Sequence, residues 1–163
     1  MVSGAIFSPN NLEIFGQIGL ATLLGALIGI ERELARKTAG MRTFALVAMG
    51  AALFTILSQS GLGSGSQVVG YDPSRIASQI VVGIGFIGAG SIIFTKSQVK
   101  GLTTAAGLWV SAAIGMAVGY RFYTIALFAT LVTIFVLVFL WFVEHRIIKQ
   151  LGNAGAHDDE DAE

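Results

Sequence analysis

The feature that most constrains this chain is the spacing of its charges. Nearly all fall in short clusters at 31–42, 72–75, 96–100, 144–149 and 158–163, with long apolar runs between them. A helix needs roughly 20 apolar residues, about 17 at minimum, to cross the hydrocarbon core of a bilayer. Five stretches meet that length, at about 14–30, 43–60, 76–94, 102–119 and 122–143. The expected fold is therefore an all-α bundle of five transmembrane helices within residues 1–149. The acidic tail at 150–163 is expected to be disordered. Composition agrees, because 54% of the 163 residues are hydrophobic and only 12% are charged, against about a quarter charged in a soluble domain. So few charges cannot build a water-facing surface, and lipid is the solvent.

Lys and Arg set the orientation of such a bundle. With the N-terminus outside and the C-terminus in the cytoplasm, Arg32, Arg36, Lys37, Arg42, Lys96, Lys100, Arg146 and Lys149 fall on the cytoplasmic side, and Arg75 and Arg121 outside. That bias of eight to two would reverse in the inverted topology. Residues 1–13 hold no Lys or Arg, so the basic region of a secretory signal is missing and the first span is expected to stay in the mature protein. Zero net charge gives no reason to expect nucleic acid. The absence of cysteine excludes disulfides and thiolate metal sites.

The turns fit five spans. Gly61–Ser66 reads as a flexible outer link, and Asp72 and Pro73 suit the cap and first turn of the third helix. The first helix is expected to continue through 31–37 and to stop at Gly40. Gly119 and Arg121 argue for a break between the fourth and fifth spans, against a single helix of about 40 residues. No internal repeat supports an inverted-repeat transporter.

Small residues recur every fourth position in the fourth span, at Gly107, Ser111, Gly115 and Gly119, and in the first, at Ala21, Gly25 and Gly29. That spacing lets helix backbones approach closely, where lipid offers no hydrophobic drive. The fifth span has no glycine and is rich in Phe, so it belongs at the lipid-facing edge, with Trp141 near an interface. The third span holds Gly83, Gly85, Gly88 and Gly90 around Phe86. Residues 83–88 match GxGxxG, but no strand precedes them and no acid follows at the required distance, so a dinucleotide site is rejected. Two readings stay open. Either these glycines pack closely against the first and fourth helices, or they break the helix and turn carbonyls toward a polar cavity. In the packing reading Gln79 hydrogen-bonds a neighbouring helix at Thr103, Thr104 or Ser111.

The acids after the first span are not explained by topology. Glu33 can pair with Lys37 one turn on, and Glu31 with Arg42 at the start of the second helix. That arrangement reads as an ion-pair clamp between two helices, or as a ligand, cation or partner site.

Three segments, GALIGIERE…KTAGMRT (25–43), GIGFIGAGSII (83–93) and KGLTTAAGLWVSAAIGMAVG (100–119), resemble the MgtC/SapB membrane proteins. The resemblance extends over about 14–143. It implies a five-helix bacterial inner-membrane protein associated with adaptation to low magnesium and, in pathogens, with survival inside host cells. It further implies a regulator acting through other membrane proteins, including transport ATPases or ATP synthase. The candidate functional positions in these segments are Glu31, Arg32, Glu33, Arg42 and Thr43; Gly83, Gly85, Phe86, Gly88 and Gly90, with Gln79 just before; and Thr103, Thr104 and Trp109. Many family members carry a soluble C-terminal domain, and this chain resembles the short form.

Three functions are expected in turn. The first is a non-enzymatic regulator without a cofactor, whose partners are the bilayer, other membrane proteins and, left open, further copies of itself. The second is a cation channel or transporter. A Mg²⁺ path usually needs carboxylates, yet the span centres lack Asp and Glu. The third, an intramembrane enzyme, is the weakest, because Ser78, Ser91 and Ser111 have no evident base. No metal-ligating set is assigned.

Overall fold

The structure, a computed structural model, describes residues 9–59, 72, 74–95 and 98–158. The elements in chain order are α1 (Pro9–Leu34), α2 (Met41–Gln59), α3 (Ser74–Gly90), β1 (Ile93–Thr95), β2 (Gln98–Lys100), α4 (Leu102–Gly119) and α5 (Tyr123–Asp158). Helices α1, α2, α4 and α5 are long and apolar enough to cross a bilayer. Helix α3, at 17 residues, is at the lower limit. The loop at Gly61–Ser66, Pro73 and Lys96 lie outside the described residues.

Helix α2 is the centre of the bundle, packed between α1 and α4, and the four-residue stripes of small side chains explain why. A Cβ on Gly25 of α1 would lie 2.5 Å from the Phe44 carbonyl oxygen and 2.8 Å from Ala48 Cβ. One on Gly29 would lie 2.5 Å from Met41 Cα. On α4, a Cβ on Gly115 would collide with the Ala48 carbonyl, and one on Gly119 would come within 2.7 Å of Thr55 Cβ. Ser111 Oγ donates to the Phe44 carbonyl at 3.0 Å, so α1, α2 and α4 meet at that one backbone group. Phe44, Ile28, Leu108, Ile114 and Val118 fill the remaining space and are fully buried. The order of these contacts makes α1 antiparallel and α4 parallel to α2.

Helix α5 lies along α1 and α4. It buries Ala126 and Thr130 and turns Phe128, Phe135, Phe139 and Trp141 outward, as expected of an edge helix in lipid. It is separate from α4, and its helical backbone continues past the expected span to Asp158.

The helix ends differ from expectation in three ways. First, α1 stops at Leu34, not at Gly40. Lys37 N–H donates to the Arg32 carbonyl and Arg36 N–H to that of Glu33, a Schellman ending with Arg36 at positive φ. The end of α4 repeats it: Phe122 N–H donates to Ala117 O, Arg121 N–H to Val118 O, and Arg121 takes the positive φ. Two arginines thus occupy positions that usually favour glycine, which is why the first stop could not be placed from sequence.

Second, the expected span at 76–94 is cut at Gly90. Ser91 Oγ donates to the Gly88 carbonyl at 2.7 Å and closes the last turn. Ile93, Phe94 and Thr95 then pair antiparallel with Lys100, Val99 and Gln98, in keeping with the strand preference of β-branched and aromatic residues. Gly101 makes the hairpin fit, with φ 95° and no room for a Cβ against the Ser91 carbonyl. Third, Gly40 belongs to the entry of α2. A Cβ there would stand 2.8 Å from Glu33 Oε2, in the space through which that carboxylate reaches the next helix.

Asp72 caps α3 as expected, its Oδ1 accepting from Ser74 N–H at 2.9 Å. The Ser74 side-chain hydrogen bond, followed by this backbone one, holds the Asp72 carboxyl below the usual value.

Candidate functional site

Glu31, Arg32, Glu33, Arg42, Thr43, Gly90, Thr103 and Thr104 gather at the end of the bundle where α1 finishes, α2 and α4 begin and α3 ends in its hairpin, while Gln79, Gly83, Gly85 and Trp109 lie further along α3 and α4. Glu31 does not reach Arg42. It takes the adjacent Arg32, whose Nη2 donates to Glu31 Oε1 at 2.6 Å and whose Nε donates to Glu31 Oε2. Arg32 is only 2% exposed. A guanidinium that deep is costly unless paired, and a bidentate carboxylate is its best match. Glu33, expected to pair with Lys37, instead accepts from the Met41 N–H at 3.0 Å and caps the first turn of α2. One acid therefore neutralises a buried cation and the other ties α1 to α2, a geometry that sequence spacing alone did not give.

Arg42, left without an ion pair among the described residues, stands at one end of an open groove between α2 and α3. The groove has a volume of about 660 Å³. Thr43, Gln79 and Gly83 also line it, as do the apolar side chains Leu46, Val47, Ile80 and Ile84. Gln79 is exposed on its wall. The hydrogen bond foreseen from Gln79 to the fourth helix is replaced at Ser111 by the bond to Phe44.

Both sequence readings of the third helix therefore need correction. Helix α3 is regular from Ser74 to Gly90, which removes the broken-helix account. Close packing holds only at Gly88, whose Cβ would meet Ala105 at an ordinary 3.6 Å. Gly83, Gly85 and Gly90 have nothing within 4 Å of an added Cβ. The helix lies against α4 and α2. Phe86 is 85% exposed and projects away from the bundle. Of the remaining candidates, Thr104 is buried, Thr103 is exposed, and Trp109 lines a smaller cavity of about 180 Å³ on the α4 side of α3.

A polar knot at the opposite end was not foreseen from sequence. Gln17, 4% exposed, donates from Nε2 to the Val118 carbonyl at 3.1 Å. Gln59 Nε2 donates to the Gly119 carbonyl at 2.8 Å. Two amides from α1 and α2 thereby meet the last carbonyls of α4, Val118 O as a second donor beside Arg121 N–H and Gly119 O beyond the helix's own hydrogen bonds. The signal was available, since Gln17 and Gln59 are two of the few amides within the apolar spans. Glu13 and Arg121 add an exposed ion pair beside it at 3.0 Å.

Comparison with known proteins identifies the family of the chain. The profile of the MgtC family matches residues 18–146. "Putative magnesium transporter YhiD" of Escherichia coli K12 is 44% identical over 140 residues, which cover 85% of this chain and 63% of that protein. "Protein MgtC" of Salmonella typhimurium LT2 is 52% identical over 112 residues, which cover 69% of this chain and 46% of that protein. An uncharacterised protein of Haemophilus influenzae is 45% identical over 130 residues, 77% of this chain and 55% of that one. The chain thus spans less than two thirds of these relatives. No solved structure matches it. With four long apolar helices among the described residues and this profile match, the chain is a multi-pass membrane protein and belongs to the MgtC family.

Proposed function

We propose that this chain is a non-enzymatic regulator of magnesium homeostasis in the bacterial inner membrane, acting through other membrane proteins when Mg²⁺ is scarce. Transport ATPases and ATP synthase are the partners the family suggests, and survival within host cells is the setting where such regulation would matter to a pathogen. The N-terminus lies outside and the arginine-rich end, with Arg32, Arg36 and Arg42, faces the cytoplasm, as the charge bias requires.

The observation that carries this reading is the closed centre of the bundle. The α1–α2–α4 interface is in backbone contact along its length, at Gly25, Gly29, Gly115 and Gly119. Of the buried polar groups there, Gln17, Thr55, Ser58 and Ser111 donate hydrogen bonds to backbone carbonyls. Such an interior supports a role in binding and signalling over one in conduction. The name of the E. coli relative favours a second reading, a Mg²⁺ transporter. That ion gives up its hydration shell reluctantly and asks for carboxylates. Among the described residues, no three His, Asp or Glu side chains come together.

Complementation tests the proposal. Cells lacking the chain and shifted to low magnesium should grow poorly while their initial rate of Mg²⁺ uptake stays unchanged. An uptake deficit that is restored in proportion to the amount of this chain would contradict it.

A further inference from the structure

The groove between α2 and α3 is a feature of the bundle that its packing does not use. Its lining runs from Arg42 to Phe54 along α2 and from Ile87 back to Ile76 along α3. At 1.5 Å per residue that is about 16–18 Å, close to the ~15 Å depth of one leaflet of a ~30 Å hydrocarbon core. Its volume of about 660 Å³ falls within the roughly 300–1,000 Å³ of pockets that enclose small ligands. Neither Gly50 nor Gly83 would have an added Cβ within 4 Å of another group, so the walls are low there and the groove is open from the side.

The two ends differ. At one, Arg42 is exposed and has no carboxylate partner among the described residues, because Glu31 is held by Arg32 and Glu33 by the Met41 amide. Leu46, Val47, Ile84 and Ile87 follow it as an apolar track, and the Gln79 amide comes only toward the far end. A cation at the rim of an apolar channel one leaflet deep is complementary to an anionic amphiphile, with its charge at the rim and its chain inside.

We propose that this groove is a lipid site: it takes an acyl chain of an anionic phospholipid from the leaflet on the Arg42 side, with the headgroup phosphate held by the Arg42 guanidinium. Arginine suits that task because its planar fork pairs with two phosphate oxygens at once. Occupancy fixes the distance between α2 and α3, which otherwise touch each other less than either touches α4. The position of α3, with its outward Phe86, then depends on the anionic lipid content of the membrane.

Native mass spectrometry of the purified chain in neutral detergent tests this. The probes are dioleoylphosphatidylglycerol, dioleoylphosphatidylcholine and water-soluble glycerol phosphate. One phosphatidylglycerol should bind per chain, about fivefold more tightly than phosphatidylcholine, the preference expected from one arginine near anionic headgroups. Glycerol phosphate should not bind. Arg42→Gln should bring phosphatidylglycerol down to the phosphatidylcholine level, and Arg42→Lys should keep most of the preference. The double change Gly50→Leu with Gly83→Leu fills open space, so it should abolish retention of both lipids while the lipid-free chain unfolds as before. Equal binding of the two lipids with no effect of Arg42→Gln would overturn the proposal. So would binding of glycerol phosphate alone, which marks a plain anion site, or a dimer that forms in place of lipid binding and is blocked by the double leucine change.

Discussion

Gly115→Ala places a methyl group against the Ala48 carbonyl, a backbone atom in the middle of α2 that no rotamer change can move. The two helices must part along their contact. Overpacking of this kind costs typically about 1–3 kcal/mol, and a rigid backbone obstacle belongs at the upper end. Ala is favoured over Gly by up to about 1 kcal/mol in a helix in water, but that gain shrinks in lipid, where the unfolded reference keeps its helices. The expected loss is about 2–3 kcal/mol. Gly85→Ala is the matched control, with nothing within 4 Å of the new methyl, and should change stability by less than about 0.5 kcal/mol. Gly107→Ala falls between, since its Cβ meets only the Phe44 ring, at 3.1 Å. Unfolding in mixed micelles with increasing SDS, followed by the fluorescence of Trp109 and Trp141, gives the three values. Equal losses at positions 115 and 85 would refute the claim that the α4 stripe is the packing face and the α3 glycines are not.

Other predictions rest on the two ends of the bundle. Glu31→Gln should destabilise by about 3 kcal/mol or more, because it leaves Arg32 buried without its partner, whereas Arg42→Gln should leave stability in lipid-free detergent nearly unchanged; the same SDS titration compares them. Gln17→Leu and Gln59→Leu should show coupling in a double-mutant cycle, since both amides serve the last carbonyls of α4; simple additivity would separate them. The folded Asp72 has a lowered pKa, so its contribution is fully present above the unfolded value of about 3.8 and is lost as pH falls through the folded one. Asp72→Asn should remove that acid-side loss, seen as a flatter dependence of melting temperature on pH below 4. For orientation, a cysteine at Ser64 should react with an impermeant thiol reagent in whole cells and one at Thr38 should not; the chain has no cysteine to interfere.

The periodic parts of this fold were legible in the sequence because lipid imposes a simple code. Length and hydropathy marked the helices, and four-residue stripes of Gly, Ala and Ser marked the faces on which α1 and α4 grip α2. The α3 glycines show where that code stops. Gly83, Gly85 and Gly90 carry the same composition as the α4 stripe but lack its single-face spacing, and they meet nothing. The charged end was less legible because long, flexible side chains have several partners within reach. Glu31 prefers its own neighbour Arg32 to a residue on the next helix, and Glu33 prefers a backbone amide to Lys37. The stop of α1 failed because Arg36, not a glycine, takes the positive φ there, whereas the stop of α4 at Gly119 was legible although Arg121 does the same. The groove could not be foreseen at all, since it arises from what α3 fails to touch.

The proposed regulator reading rests on the closed interior of the α1–α2–α4 core, and ion flux tests that reading most directly. Purified chain is reconstituted into liposomes loaded with a Mg²⁺-sensitive dye, and an inward Mg²⁺ gradient and a negative internal potential are imposed. A regulator with a backbone-packed core should give an influx no faster than protein-free liposomes, with Gly115→Ala and the unaltered chain alike. A saturable, protein-dependent Mg²⁺ influx would contradict the regulator reading and establish the chain as a transporter.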